Sequence, residues 1–286
     1  MAGLLSGLGK LGLKSLEGMD LYGAPEEKKN DNEGADAKQP EIKEEDFLFD
    51  KTYECPVCYQ NIKVRTVKAG KARLLKTDMD LRPVYEGLEP LKYDVIICPH
   101  CGYAALTRYF KGITASQAKA VKEAISKTFH SSDEGKETFT LEEALDRYKL
   151  SLANAIVKHG KASEKAYICL KAGWVLRCMR EELKPESAEY ETKRAEIRGQ
   201  EDEFLKNALE GFLAARQSES YPMCGMDETT VDYLTAVLAM NYGQYDVASR
   251  LISGILVSPT ANSRMKDKAR DIKEMLIIKI KEKNAG

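Results

Sequence analysis

Two cysteine pairs, Cys55-Pro56-Val57-Cys58 and Cys98-Pro99-His100-Cys101-Gly102, constrain this chain more than any other feature, and both fall between Tyr53 and Leu106. Two Cys-x-x-Cys pairs, each with proline after its first sulfur, supply four thiolates in the grouping that a tetrahedral zinc site needs. Four thiolates leave no coordination position open for water, so the expected Zn2+ is structural rather than catalytic. Its work would be folding, since structural zinc in small peptides contributes on the order of 10 kcal/mol. A redox reading competes, because Cys-Pro-His-Cys also serves as a thiol–disulfide site when it opens a helix in a thioredoxin-like fold. Here Cys98 follows a strand pattern and Gly102 suits a knuckle turn, and a single redox motif leaves Cys55 and Cys58 unexplained. A redox-switched zinc site and another metal are the further alternatives.

Around the pairs, Ile62, Val64 and Thr66 alternate with Lys63 and Arg65, which predicts a short strand with one basic face, ending or bulging at Val67. Tyr93 to Ile97 predicts a second strand leading into the second pair. Knuckle then strand, and strand then knuckle, is the order in which a zinc ribbon brings its thiolates together. The connection Lys68 to Lys92 is long for a ribbon and is expected to be an ordered insertion, because long structureless loops are uncommon in compact domains. Within it, Asp78 and Asp80 with Arg82 read as turn caps and an ion pair that locks the insertion, rather than as a carboxylate pair for catalysis.

Lys63, Arg65, Lys68, Lys71, Arg73 and Lys76 follow one another with no acidic residue among them. They are the candidate contact for an anion or nucleic acid, with Tyr59, Tyr85, Tyr93 and Tyr103 as candidate stacking surfaces. The bland reading is a solvated strand face, with the tyrosines closing a small core. The whole chain gives no help to the nucleic-acid reading: its formal charge is -1 at 31% charged residues, so any electrostatic partner must be read from local clusters.

From Thr114 onward the pattern is helical. Thr114 with Gln117, and Thr140 with Glu143, read as capping boxes. Apolar positions from Leu141 to Ile156 define a helix stopped by Gly160, and a third helix is expected from Ser163 to Glu182 with Tyr167, Leu170, Trp174, Val175 and Cys178 inward. A charged helix follows from about Ser187 to Arg216. After a turn at Tyr221 to Met226 come helices from Asp227 to Tyr242, from Tyr245 to Val257 and from Ser263 to Lys283. Gly243, Tyr245, Ala248, Ile252, Ile255 and Pro259 fall in the order of the second half of a tetratricopeptide repeat. His130 and His159 lie near helix ends with no nucleophile beside them, and Cys169, Cys178 and Cys224 form an odd, unpatterned set that reads as buried small hydrophobes.

Ahead of all this, Leu4, Leu5, Leu8, Leu11 and Leu16 have helical spacing interrupted by Gly3, Gly7, Gly9 and Gly12, so a stable isolated helix is not expected. The leader folds on docking to a partner or a membrane surface, packs on its own domain or stays disordered, and with few cations on its polar face peripheral membrane contact is the lesser version of docking. Glu26 to Asp46 is a polar linker with almost nothing to bury. No apolar run reaches the ~18–20 residues of a membrane span, and the cysteines do not form a secreted disulfide framework, so a cytoplasmic protein is expected.

Tyr53-Glu-Cys-Pro-Val-Cys, Asp78-Met-Asp-Leu-Arg-Pro, Tyr93-Asp-Val-Ile-Ile-Cys-Pro-His-Cys-Gly-Tyr-Ala-Ala, Gly225-Met-Asp-Glu and Tyr242-Gly-Gln-Tyr-Asp together resemble a family of uncharacterised bacterial proteins. That family, largely from Firmicutes, is catalogued as domain of unknown function 2225, and the resemblance runs from about Phe47 to Ile280. It implies a zinc-ribbon-like head on a tetratricopeptide-like body, with Cys55, Cys58, Cys98 and Cys101 as the metal ligands, and it transfers no reaction. The expected architecture is α+β and mostly α: a leader and acidic linker over 1–46, a zinc-ribbon-like β module over 47–112 and a tetratricopeptide-like helical domain over 113–286. The expected function is a non-enzymatic, zinc-binding adaptor or scaffold for a protein or peptide partner, with nucleic-acid binding and thiol-based redox sensing as the alternatives.

Overall fold

Each cysteine pair sits at the turn of its own β-hairpin. A computed structural model describes residues 43–131, 136–186 and 189–285. The leader and the linker up to residue 42 lie outside them. Strand β1 (Leu48–Glu54) pairs antiparallel with β2 (Asn61–Val67), from Leu48 opposite Val67 to Glu54 opposite Asn61. Strand β5 (Val95–Ile97) pairs in the same sense with β6 (Ala104–Leu106). Between these hairpins lies a third, β3 (Arg73–Thr77) with β4 (Pro83–Glu86), irregular between Leu74 and Lys76. The predicted insertion is thus an ordered hairpin. The second predicted strand begins at Val95 and not Tyr93, because Pro90–Tyr93 is a 3-10 turn whose Leu91 amide is capped by Glu89 at 3.0 Å.

The end of the expected linker is also structured. Glu44–Phe47 makes a 3-10 turn, and the Glu44 carboxylate accepts from Lys92 Nζ at 2.7 Å and from the Tyr93 hydroxyl at 2.6 Å.

Helices follow: α1 (Ala115–Val121), which widens into a π turn at Lys122–Ser126, then α2 (Leu141–Val157), α3 (Ala162–Glu181), α4 (Tyr190–Ser218), α5 (Glu228–Asn241), α6 (Tyr245–Val257) and α7 (Ser263–Ala285). Both expected capping boxes form. Thr114 Oγ1 accepts from the Gln117 amide while Gln117 Oε1 accepts from the Thr114 amide, and Thr140 and Glu143 do the same. Asp227 caps α5 by accepting from the Thr230 amide at 2.8 Å. Helices α3 and α4 approach closely at two glycines: a Cβ on Gly173 would lie 2.6 Å from Leu205 Cδ2, and one on Gly211 2.8 Å from Ala166 Cβ. Among the described residues no helix is long and apolar enough to cross a membrane.

The period-two alternation of the short β5–β6 hairpin sets the order of the core. Val95, Ala104 and Leu106 join Leu145, Tyr148, Leu170 and Trp174 in the large helical core. Ile96 and Ala105 face the other way, with Tyr53, Val57, Ile62, Tyr103 and Phe110 around the cysteines. The described residues belong to one compact unit, 42–286.

Candidate metal centre

The two cysteine turns repeat one backbone pattern. In the first, the Tyr59 amide donates to Cys55 O at 2.8 Å and the Cys55 amide to Gln60 O at 2.9 Å. In the second, the Gly102 amide donates to Cys98 O at 2.9 Å and the Cys98 amide to Tyr103 O at 2.8 Å. The residue after each second cysteine is left-handed, Tyr59 at φ 63° and Gly102 at φ 71°. Glycine is required at the second of these for a further reason, since a Cβ there would lie 2.5 to 2.9 Å from three atoms of Phe129.

This repetition brings the four sulfurs together. Cys55 Sγ lies 3.7 Å from Cys101 Sγ, Cys58 Sγ 3.5 Å from Cys98 Sγ, and all four fall within 4.8 Å of one another. Four sulfurs at ~2.3 Å from a common tetrahedral centre stand about 3.8 Å apart, and the Cys55–Cys101 and Cys58–Cys98 separations are close to that edge. Cys55 and Cys98 are fully buried, Cys101 nearly so, and Cys58 is half-buried. Hydrogen bonds from Cys101 and then Cys98 pull the Cys55 thiol well below its ordinary value, while bonding to Cys55 pushes Cys101 far up. The four cysteines can hold a metal ion.

The basic cluster is largely engaged. Arg65 pairs with Asp50 at 3.3 Å and donates to Glu137 O, Lys68 Nζ donates to Asp46 O at 2.9 Å, Arg73 pairs with Glu86 at 3.1 Å, and Lys76 lies 3.8 Å from Asp78. Lys63 and Lys71 are exposed. Of the tyrosines considered as stacking surfaces, Tyr93 and Tyr103 are core residues, and the Tyr103 hydroxyl donates to Phe110 O at 3.1 Å. Tyr59 is 69% exposed, with Lys122 Nζ 5.6 Å from its ring centre, and Tyr85 is half-buried.

Asp78, Asp80 and Arg82 do lock the insertion, but most of their partners are far along the chain. Arg82 donates to Asp78 at 2.7 Å and, with both terminal nitrogens, to Glu181 on α3 at 2.8 to 2.9 Å. Asp80, only 3% exposed, accepts from Arg177 at 2.7 and 3.0 Å and from Trp174 Nε1 at 3.0 Å. Arg177 and Arg180 in turn donate to buried Glu201 on α4. Arg177, Glu181 and Glu201 gave no sequence signal, being a few charges among many on their helices. The three remaining cysteines are buried, and burial pushes the Cys169 thiol up to about 11 and Cys178 up to about 12.

No curated protein and no solved structure matches this chain. A family model described as an uncharacterized protein conserved in bacteria, DUF2225, matches residues 48–276. That span contains every strand and both cysteine turns, and on it the chain belongs to the DUF2225 family.

Proposed function

We propose that this chain is a zinc-clipped, non-enzymatic scaffold of the cytoplasm, in which Cys55, Cys58, Cys98 and Cys101 hold one structural Zn2+ and the helical body carries the surface that binds a protein or peptide. The observation that carries the reading is the four-sulfur cluster, whose 3.5 and 3.7 Å separations suit a filled tetrahedron with no place for a reacting water. Bound there, the metal supplies a cross-link. It fastens the β1–β2 hairpin to the β5–β6 hairpin, making the head a zinc-ribbon-like clip on the helices. Reduced thiols suit the cytoplasm.

The body reads as tetratricopeptide-like at α5 and α6, where Ala236 and Ala248 are fully buried and Gly243 turns the chain at φ 74°. A groove of about 600 Å3 between α4, α5 and α6, bordered by Leu213, Tyr221, Val247 and Leu251, is the candidate partner surface. Nucleic-acid binding ranks second because four of the six basic side chains already have protein partners. A redox-sensing role would use the same cysteines and is separable by zinc release on mild oxidation.

The test is metal quantification by mass spectrometry on purified full-length protein, followed by affinity capture from a bacterial lysate with and without nuclease. The expected result is one zinc per chain, lost in Cys98→Ser, and a defined protein partner whose recovery ignores nuclease and falls when the half-buried groove residue Val247 is changed to Arg. Metal-free folded protein refutes the zinc assignment, and nuclease-sensitive recovery of nucleic acid refutes the scaffold reading.

A further inference from the structure

A polar cavity of about 510 Å3 lies among the β6–α1 connection, the end of α2, the start of α3 and the turn before α5. That volume is within the range of small-molecule sites, about 300–1,000 Å3. Its charged groups divide in two. Lys158 and Glu164 are committed to each other, Nζ donating at 2.7 Å with both residues buried, while the Glu219 carboxylate accepts from the amide and hydroxyl of Ser163, which are neutral donors. The side chains of Arg108, His159 and Lys161, all exposed, make no hydrogen bond or ion pair among the described residues.

Arg108 is nonetheless positioned. Its guanidinium lies 5.6 Å from the centre of the Tyr167 ring and so close over Gly225 that a Cβ there would stand 2.5 Å from Nη2. The turn beneath it runs Met223 to Met226, closed by reciprocal amide-to-carbonyl bonds of 3.0 and 2.8 Å, with Cys224 at φ 52° and Gly225 at φ 75°. Two left-handed central residues favour Asn-Gly or Asp-Gly, so cysteine at the first is a strained choice that turn chemistry alone does not explain. Its thiol is tucked into the cavity wall, donating to Ser163 O at 3.2 Å. Gly225 serves two needs at once, the left-handed backbone and the seat of the guanidinium.

We propose that this cavity binds a small molecule through an oxyanion, a carboxylate or a phosphate, taken in the fork of Arg108 with Lys161 and His159 adding donors at the mouth. The guanidinium offers planar paired donors that match either oxyanion, and its place over the Tyr167 ring reduces the ordering needed on binding. Lys158 and Glu164 cancel each other, and Glu219 keeps its charge with its oxygens turned to the amide and hydroxyl of Ser163, so with Arg108 and Lys161 the cations of the lining outnumber its carboxylates. The site shares no residue with the four-cysteine cluster, and the inference does not depend on the scaffold reading.

Isothermal titration of full-length, metal-quantified protein with sodium phosphate and, separately, sodium succinate tests it. The expected result is saturable one-to-one binding of at least one probe, weakened about 10- to 100-fold by Arg108→Gln, as loss of a charge-assisted pair implies. Arg108→Lys should weaken it less, and Arg264→Gln, an exposed arginine on α7, should leave it unchanged. Binding of phosphate alone assigns a phosphorylated ligand, and of succinate alone a carboxylate. Absence of saturable binding by both probes, equal binding by wild type and a folded Arg108→Gln variant, or equal weakening by Arg264→Gln overturns the proposal.

Discussion

Gly102→Ala tests the account of the cysteine turns in a way that does not depend on the metal assignment. The substitution asks a residue with a Cβ to hold φ 71°, which costs about 1–2 kcal/mol for an L-residue. It also drives that Cβ to 2.5 Å from Phe129 Cγ and 2.7 Å from Cδ2, where overpacking costs about 1–3 kcal/mol. The expected loss is therefore about 2–5 kcal/mol, a large share of a typical domain's stability. The assay is urea denaturation at saturating metal, followed by the fluorescence of Trp174, the chain's single tryptophan. Trp174 reports on this turn because the Gly102 carbonyl accepts from Asn154 Nδ2 on α2 at 3.1 Å and the β5–β6 hairpin shares its core with α3. Two companions separate the causes. Phe129→Ala in the same chain should recover the steric part, a coupling of about 1–3 kcal/mol. Tyr59→Gly, at the matching position of the first turn, should change stability by anything from nothing to a gain of about 1 kcal/mol. A Gly102→Ala variant within about 0.5 kcal/mol of wild type, or no recovery with Phe129→Ala, would refute the reasoning.

Asp80→Ala should cost about 1–3 kcal/mol in the same titration, because it removes two hydrogen bonds from the Arg177 guanidinium, which keeps Glu201, and leaves the buried Trp174 indole without its acceptor. A shift in native tryptophan emission should accompany it, and an unchanged midpoint and spectrum would contradict the network. Burial holds the Glu89 carboxyl above its ordinary 4.5, partly offset by the hydrogen bond from the Leu91 amide. The folded state then binds more protons than the unfolded one, so this group's contribution is intact below 4.5 and declines as pH rises through the raised value. Glu89→Gln should therefore gain stability relative to wild type on going from about pH 4 to about pH 7, and a difference independent of pH would rule this out.

Helices were legible where local chemistry states them. The Thr114 and Thr140 boxes, the Asp227 cap and Gly243 all act within a turn of the residues they control, and the span Tyr245–Val257 could be read directly. Strands β1 and β6 were not legible. Of the seven residues in β1 only Leu48 and Tyr53 are buried, so there is no alternation to detect, and Ala104-Ala105-Leu106 is too short and too apolar to show a period. Nor could the sequence expose Arg177 as the partner of Asp80, since the two stand 97 positions apart. Tyr93 and Tyr103 looked like stacking surfaces because exposure is set by what packs over a residue, here Phe139 and Phe110.

The β5–β6 hairpin is where the cysteine cluster and the helices become one problem. Helix α2 grips its flanks through three donors: Arg147 Nη2 to Val95 O at 2.8 Å, the Tyr148 hydroxyl to Leu91 O at 3.1 Å and Asn154 Nδ2 to Gly102 O at 3.1 Å. Each acceptor is a backbone carbonyl, so each bond depends on the path of the chain rather than on a side chain that could turn away. Displacing Cys98 or Cys101 would move those carbonyls and leave buried donors on α2 unmatched, at a cost of about 1–3 kcal/mol for each one lost. A ligand that binds only the folded state adds its binding free energy to folding. A metal on the four cysteines would therefore stabilise the helices beyond α2 as well as the hairpins it touches, because the same short strands that present Cys98 also carry Val95 and Leu106 into the helical core.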